Sequence, residues 1–285
     1  MSCSVLLCIE VMKMNQIINE IKDLTFLEWS KIRESSGTAG SFLKSYMNYN
    51  NRKIYFKLSD YNKIDGIIGH ECINEIIIDR LLSILGFHHL NYYLINANIK
   101  IDEAIINTYL CASYDFKEKG ESKIAFDTFF ELKRKENEKI FDFCERYNFI
   151  NNIYEMMVVD YIILNRDRHG ANIEVLYDNK KDSYRLAPLF DHGLSLLCKV
   201  REEQIDDYDV MEEKITNSFI GTRSTLDNLM LIPYDKLPKI KKLNLTDKNI
   251  IFKDLDNVLS PKRIDKIWEM IWKRVCYYER ICNKE

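Results

Sequence analysis

Glycine and proline are scarce in this sequence. There are 9 glycines and 4 prolines in 285 residues, where average usage would give roughly twice and three times as many. With so few, each glycine is worth treating as a pointer to a place where the backbone needs one. Disorder on a large scale is excluded by 46% hydrophobic and 30% charged residues. An excess of one charge sign is also missing. Lys and Arg number 41 against 44 Asp and Glu, which gives no general attraction to nucleic acid or to an anionic membrane. No apolar run approaches the ~18 residues of a spanning helix. Residues 4–9 are apolar but too short to span, and they lack the basic flank of a signal peptide. Met12 or Met14 is an alternative start. The 8 cysteines form no CxxC pair and no zinc-spaced Cys/His cluster. They read as reduced, packed thiols of a cytoplasmic protein.

Two regions of different character follow one another, with no internal repeat. Residues 15–33 alternate charged and apolar positions like a short leading helix. A small-residue loop comes next, Ser35-Ser36-Gly37-Thr38-Ala39-Gly40-Ser41. Phe42 to Tyr49 and Lys53 to Leu58 are strand-like runs, and Asn50-Asn51-Arg52 between them suits a hairpin turn. Ile73, Ile76, Ile77, Leu81, Ile84 and Leu85 follow a 3.6-residue period that predicts a helix over 70–85, capped by Gly86. A second row of that helix carries Glu71 and Glu75. Residues 90–114 read as strands. From about residue 124 the chain turns helical, with an aromatic-rich stretch from Phe126 to Tyr147 and an apolar helix from Ile153 to Leu164. A hairpin over 173–187 interrupts it, and a last helix begins at Ser260-Pro261. The sequence thus predicts a β-rich domain over 1–115 and a helical domain over 116–285.

The chemistry concentrates in two polar segments. The apolar helix runs into Asn165-Arg166-Asp167-Arg168-His169-Gly170-Ala171-Asn172, and the hairpin runs into Phe190-Asp191-His192-Gly193. Phosphoryl transfer from ATP needs a carboxylate near the acceptor hydroxyl and oxygen ligands for Mg²⁺. Asp167, Asn172 and Asp191 supply these groups in the order of the kinase signature. An ordinary capped turn can carry the same residue types. His169 has no second histidine at metal-ligand spacing and suits an orienting role beside Asp167. His88 and His89 read as loop residues. In the first region, Lys57 closes a strand and could meet ATP phosphates, with Glu75 to hold it. A solvated strand-end lysine is the competing account of Lys57, and Glu71 competes with Glu75. The loop over 35–41 is neither a Walker A sequence nor G-x-G-x-x-G. Its backbone N–H groups could cover phosphates, or it is a surface loop.

Taken together, Ser36-Gly37-Thr38-Ala39-Gly40-Ser41-Phe42-Leu43-Lys44, Asn74-Glu75, Asp167-Arg168-His169-Gly170-Ala171-Asn172 and Leu186-Ala187-Pro188-Leu189-Phe190-Asp191 resemble the HipA-like serine/threonine kinases in their short form. The resemblance covers roughly residues 35 to 195. It implies an α+β, bilobal, protein-kinase-like fold with a β-rich N-lobe and a mainly helical C-lobe. It implies an ATP- and Mg²⁺-dependent protein kinase with Asp167 as catalytic base, assisted by His169. Asn172 and Asp191 become metal ligands. Gly37, Thr38, Ala39, Gly40, Ser41, Lys57 and Glu75 become the nucleotide-binding set. It further implies a protein acceptor related to translation, a helix-turn-helix antitoxin as partner, and autophosphorylation at Ser35, Ser36 or Thr38. A cytoplasmic location follows, with export as an effector left open. A phosphatidylinositol or small-molecule kinase, or a nucleotide-binding pseudokinase module, is the alternative.

Overall fold

Apolar side chains recur at every second position in Ile54 and Phe56, in Ile95, Ala97 and Ile99, and in Leu110 and Ala112. Period-two burial is what a half-buried strand requires. All of these residues meet in one core of a computed structural model, which describes residues 15–30, 42–50 and 52–283. The chain divides into two compact units. One comprises Met1–Asp79 with Leu90–Phe116, the other Arg80–His89 with Lys117–Glu285.

The first unit contains β1 (Ile17–Asp23), β2 (Lys44–Tyr49), β3 (Arg52–Lys57) and the short pair β4 (Tyr61–Asn62) and β5 (Gly66–Ile67). Helix α1 (Glu71–Leu85) follows, of which residues 71–79 belong to this unit. Strands β6 (Tyr93–Ile101) and β7 (Ala104–Tyr114) complete it. The main sheet has the order β1-β6-β7-β3-β2. Its pairings are antiparallel except for β1 on β6. Asn50, in the left-handed region at φ 47°, begins the β2–β3 turn. Gly86 at φ 89° ends α1, as the helical period predicts.

The leading segment corrects the sequence expectation. Residues 17–23 form a strand, not a helix. The register moves from Ile18 opposite Ile95 to Lys22 opposite Ala97, so an irregularity spans four residues on β1 against two on β6. Ile18 and Lys22 are therefore the buried positions. A spacing of four mimics a helical face, while pairing with β6 decides the conformation.

The second unit begins with β8 (Glu121–Ala125), α2 (Phe126–Lys133), α3 (Ile140–Arg146) and α4 (Ile150–Ile163). Next come β9 (Asp167–Arg168), a 3-10 turn at Gly170–Asn172, β10 (Glu174–Asp178), β11 (Ser183–Leu186) and β12 (Asn217–Ser218). Helices α5 (Thr225–Met230), α6 (Asp247–Ile251) and α7 (Pro261–Asn283) close it. The aromatic stretch forms two helices, α2 and α3. Asn137 at φ 58° breaks it, and Glu138 ties the break by accepting from Lys135 N–H and from Arg146. The rings then cluster edge to face, with Phe129–Tyr147 and Phe130–Phe143 both 4.9 Å apart. The predicted hairpin is present and gains β8 as a third strand. Helix α4 buries residues on all sides, including Met156, Val158 and Ile162. Leu164 in the left-handed conformation stops it. Among the described residues, no helix is long and apolar enough to cross a membrane.

Arg274 of α7 is fully buried and ties α4 and the segment 210–213 to its own helix with four hydrogen bonds. It donates to Tyr161 O at 3.1 Å, Val210 O at 3.0 Å, Glu212 O at 3.1 Å and Glu213 Oε1 at 3.0 Å. Glu213 in turn accepts from Thr225 Oγ1 and Leu226 N–H. Arg274→Met keeps volume but strands these acceptors. Urea unfolding should show a loss of about 3–5 kcal/mol, and a loss under 1 kcal/mol would contradict this role for the clamp.

Candidate functional site

In the second unit the polar loop is built around one guanidinium. Arg168 is 2% exposed. Its Nε and Nη2 donate to the Asp160 carboxylate at 3.0 and 2.8 Å. Its Nη1 donates to the carbonyls of Asn172 at 3.0 Å and Phe190 at 2.9 Å. The residue before Asp191 and the residue Asn172 are thereby tied to one group. Asn165 links the same carboxylate to the loop, since its Nδ2 donates to Asp160 Oδ1 and its Oδ1 accepts from Asp167 N–H. Asp160 sits on α4, one turn before its end, so the helix carries the whole arrangement.

The side chains follow from that frame. Asn172 Nδ2 donates to Asp167 O at 2.8 Å. The amide's orientation is fixed, with its nitrogen on the loop carbonyl and its oxygen at the other end. Asp191 has φ 57°, a left-handed conformation that Asp tolerates better than most residues. Asp167 Oδ1 accepts from Asn217 Nδ2 at 3.0 Å, while Oδ2 lies 3.7 Å from His169 Nε2. That second distance is too long for a hydrogen bond. A Cβ at Gly170 would come within 2.4 Å of Asp127 Cβ, so glycine is what lets the loop pack there.

Flanking Arg166 is a cleft of about 590 Å³. Its lining mixes three cations, Arg166, Lys199 and Lys214, with the carboxylates of Glu203, Asp207, Asp209 and Glu212.

In the first unit, Lys57 at the end of β3 meets Glu75 of α1 at 3.3 Å. Lys57 is 8% exposed and Glu75 fully buried, so the lysine is not a solvated strand end. Glu71 has another task, accepting from Asp60 N–H at 3.0 Å. The first turn of α1 is stitched to the strand by Cys72 N–H to Ser59 Oγ and Cys72 Sγ to Lys57 O. Burial pushes the Cys72 thiol up, but hydrogen bonds from Cys111 and Ser59 outweigh it and leave it below its ordinary value. The hydrogen bond to Cys72 and burial hold Cys111 well above its own.

The structure thus gathers Asp167, His169, Asn172 and Asp191 in one unit and Lys57 with Glu75 in the other. Gly37, Thr38, Ala39, Gly40 and Ser41, with Ser35 and Ser36, lie outside the described residues. Three residues that sequence reasoning left without a role hold the loop: Asp160, Arg168 and Asn217. A lone carboxylate inside the apolar run of α4 was the available signal for Asp160. Asn217, fifty positions from Asp167, gave none.

The family model for phosphatidylinositol 3- and 4-kinases matches residues 31–241. The chain belongs to the phosphatidylinositol 3- and 4-kinase family. Its fold is that of a kinase: it matches the crystal structure of the Helicobacter pylori proinflammatory kinase CtkA with a TM-score of 0.60. That match has 18% identity and covers 92% of this chain and 96% of the other. The α+β class expected from the sequence, with β-rich first and helical second parts, is the class found. A second match is HipA from the Shewanella oneidensis MR-1 toxin–antitoxin complex of HipA, HipB and operator DNA. It has a TM-score of 0.39 and 12% identity, over 98% of this chain and 65% of that one. No curated protein matches the sequence.

The Lys57–Glu75 pair makes a direct prediction. Lys57→Met leaves the Glu75 carboxylate buried without its lysine and should cost about 3–5 kcal/mol in urea unfolding. The double variant with Glu75→Gln should lose less than the sum of the two single losses. Additive losses would show that the two side chains do not interact.

Proposed function

We propose that the chain is an ATP- and Mg²⁺-dependent serine/threonine protein kinase of the HipA-like type. The observation that carries this proposal is the Asp167, Asn172 and Asp191 set held around Arg168. The donor chemistry fits a hard cation, since a carboxylate and an amide oxygen suit Mg²⁺, which takes few protein ligands alongside phosphates and water. Among the described residues no group of three or more His, Cys, Asp or Glu could hold a metal ion. Asn172 and Asp191 suit a metal whose remaining ligands are nucleotide phosphates and water. Bound Mg-ATP supplies the phosphoryl group and the charge compensation for its transfer.

The chain's own residues do the rest. Asp167 takes the proton of the acceptor hydroxyl, with His169 beside its second oxygen. Asn172 and Asp191 would hold the metal. Lys57, held by Glu75, would pair with phosphate oxygens, and the backbone of Gly37, Thr38, Ala39, Gly40 and Ser41 would cover them. Phosphate placed on Ser35, Ser36 or Thr38 would set like charge beside the nucleotide and inhibit. A helix-turn-helix antitoxin as partner, a translation-related acceptor and a cytoplasmic location complete the proposal.

The family match favours a second candidate, phosphatidylinositol as acceptor. The cleft beside Arg166 does not separate the two acceptors, since it would offer an anionic headgroup three cations as well as four carboxylates.

The test offers purified protein γ-labelled ATP and Mg²⁺ with cell extract and, separately, with phosphatidylinositol vesicles. Label should enter protein, and Asp167→Asn should lower incorporation by about 10²–10⁴-fold. Label confined to the lipid phase would replace the protein acceptor with phosphatidylinositol. Equal incorporation by Asp167→Asn would overturn the assignment of the base.

A further inference from the structure

We propose that Asn217 is a positioning residue for the Asp167 carboxylate. The proposal rests on the assignment of Asp167 as the base and deepens it. The main chain of Asp167 is fixed from three directions. Its N–H donates to Asn165 Oδ1, its carbonyl accepts from Asn172 Nδ2, and β9 pairs with β12. None of these bonds sets the rotation of the carboxylate, whose terminal torsion is intrinsically broad. The Asn217 amide does set it, by donating to Oδ1 at 3.0 Å. Among the described residues this is the one hydrogen bond that the Asp167 carboxylate makes. With Oδ1 committed, Oδ2 on the His169 side is the oxygen left to take a proton.

Asn217 is itself placed by backbone, not by its side chain. Its N–H donates to Arg166 O at 2.8 Å, and Phe219 N–H donates to Arg168 O at 3.0 Å. Thr216 N–H closes a turn onto Arg223 O at 2.9 Å. The Arg274–Glu213 clamp anchors the chain just before it. Asn217 is exposed, so its side chain contributes little packing. An exposed polar residue bonded to the base across fifty residues marks a contribution to geometry. Any acceptor that shifts the segment between Asp191 and Asn217 also reaches the base through this amide.

The test uses the full chain with Asn217→Ala, Asn217→Gln and Asn217→Asp, and Asp167→Asn as reference. Asn217→Ala should lower kcat by about tenfold to a hundredfold, with KM for ATP within about twofold and an unchanged unfolding midpoint. Asn217→Gln, which keeps an amide donor, should recover part of the loss. Asn217→Asp, with the same shape and no donor, should not. An unchanged kcat in Asn217→Ala while Asp167→Asn is inactive would overturn the positioning role and leave the base assignment standing. Full activity of Asp167→Asn would overturn both. A readout without turnover is the Asn217 side-chain amide resonance, which should move in Asp167→Ala. A resonance that stays in place overturns the hydrogen bond on which the proposal stands.

Discussion

A buried guanidinium holds the loop together. Arg168 gives two donors to one carboxylate and one to each of two carbonyls. A buried charge is tolerated only when it is paired and its protons are satisfied. Here that requirement also brings chain segments together. Asp160 neutralises the charge from α4, and the carbonyls of Asn172 and Phe190 take the two Nη1 protons. Asn172 and Asp191 are thus tied to the last turn of a helix that is almost wholly buried. The bidentate geometry gives direction as well as energy, which a lysine at 168 would not reproduce.

The two units use the same solution at different scales. In the second, Arg274 repeats the pattern of Arg168, with a carboxylate for the charge and carbonyls for the remaining donors. In the first, Lys57 and Glu75 form a simpler pair between a strand end and a helix. All three cations lie in places where an unpaired charge would be costly. Such pairs are poor sources of stability compared with apolar packing of equal volume. Their presence fits a demand for placement, which the aromatic cluster and the sheet core cannot meet.

Much of this was legible in the residues. The strand-like composition of 90–114 and the helical period of 70–85 are local signals, and strands and helix form where the pattern puts them. The spacing of Asp167, Asn172 and Asp191 pointed to kinase chemistry before any fold was known. What stayed hidden depends on long-range partners. Strand β1 looked helical because charged and apolar positions alternate along residues 15–33, and only its pairing with β6 decides otherwise. Strand β8 shows no clear alternation and exists because β10 pairs with it. Glu71 and Glu75 share a helical row, and only the position of β3 separates their tasks. Arg168 is visible as a residue, but its function depends on Asp160 and on a carbonyl twenty-two positions away.

The most direct measurement is the position of Mn²⁺, found by anomalous scattering from crystals grown with Mn²⁺ and a non-hydrolysable ATP analogue. The metal should have the side-chain oxygens of Asn172 and Asp191 in its coordination sphere, together with phosphate oxygens of the nucleotide. A nucleotide-bound metal that touches neither residue would contradict the account.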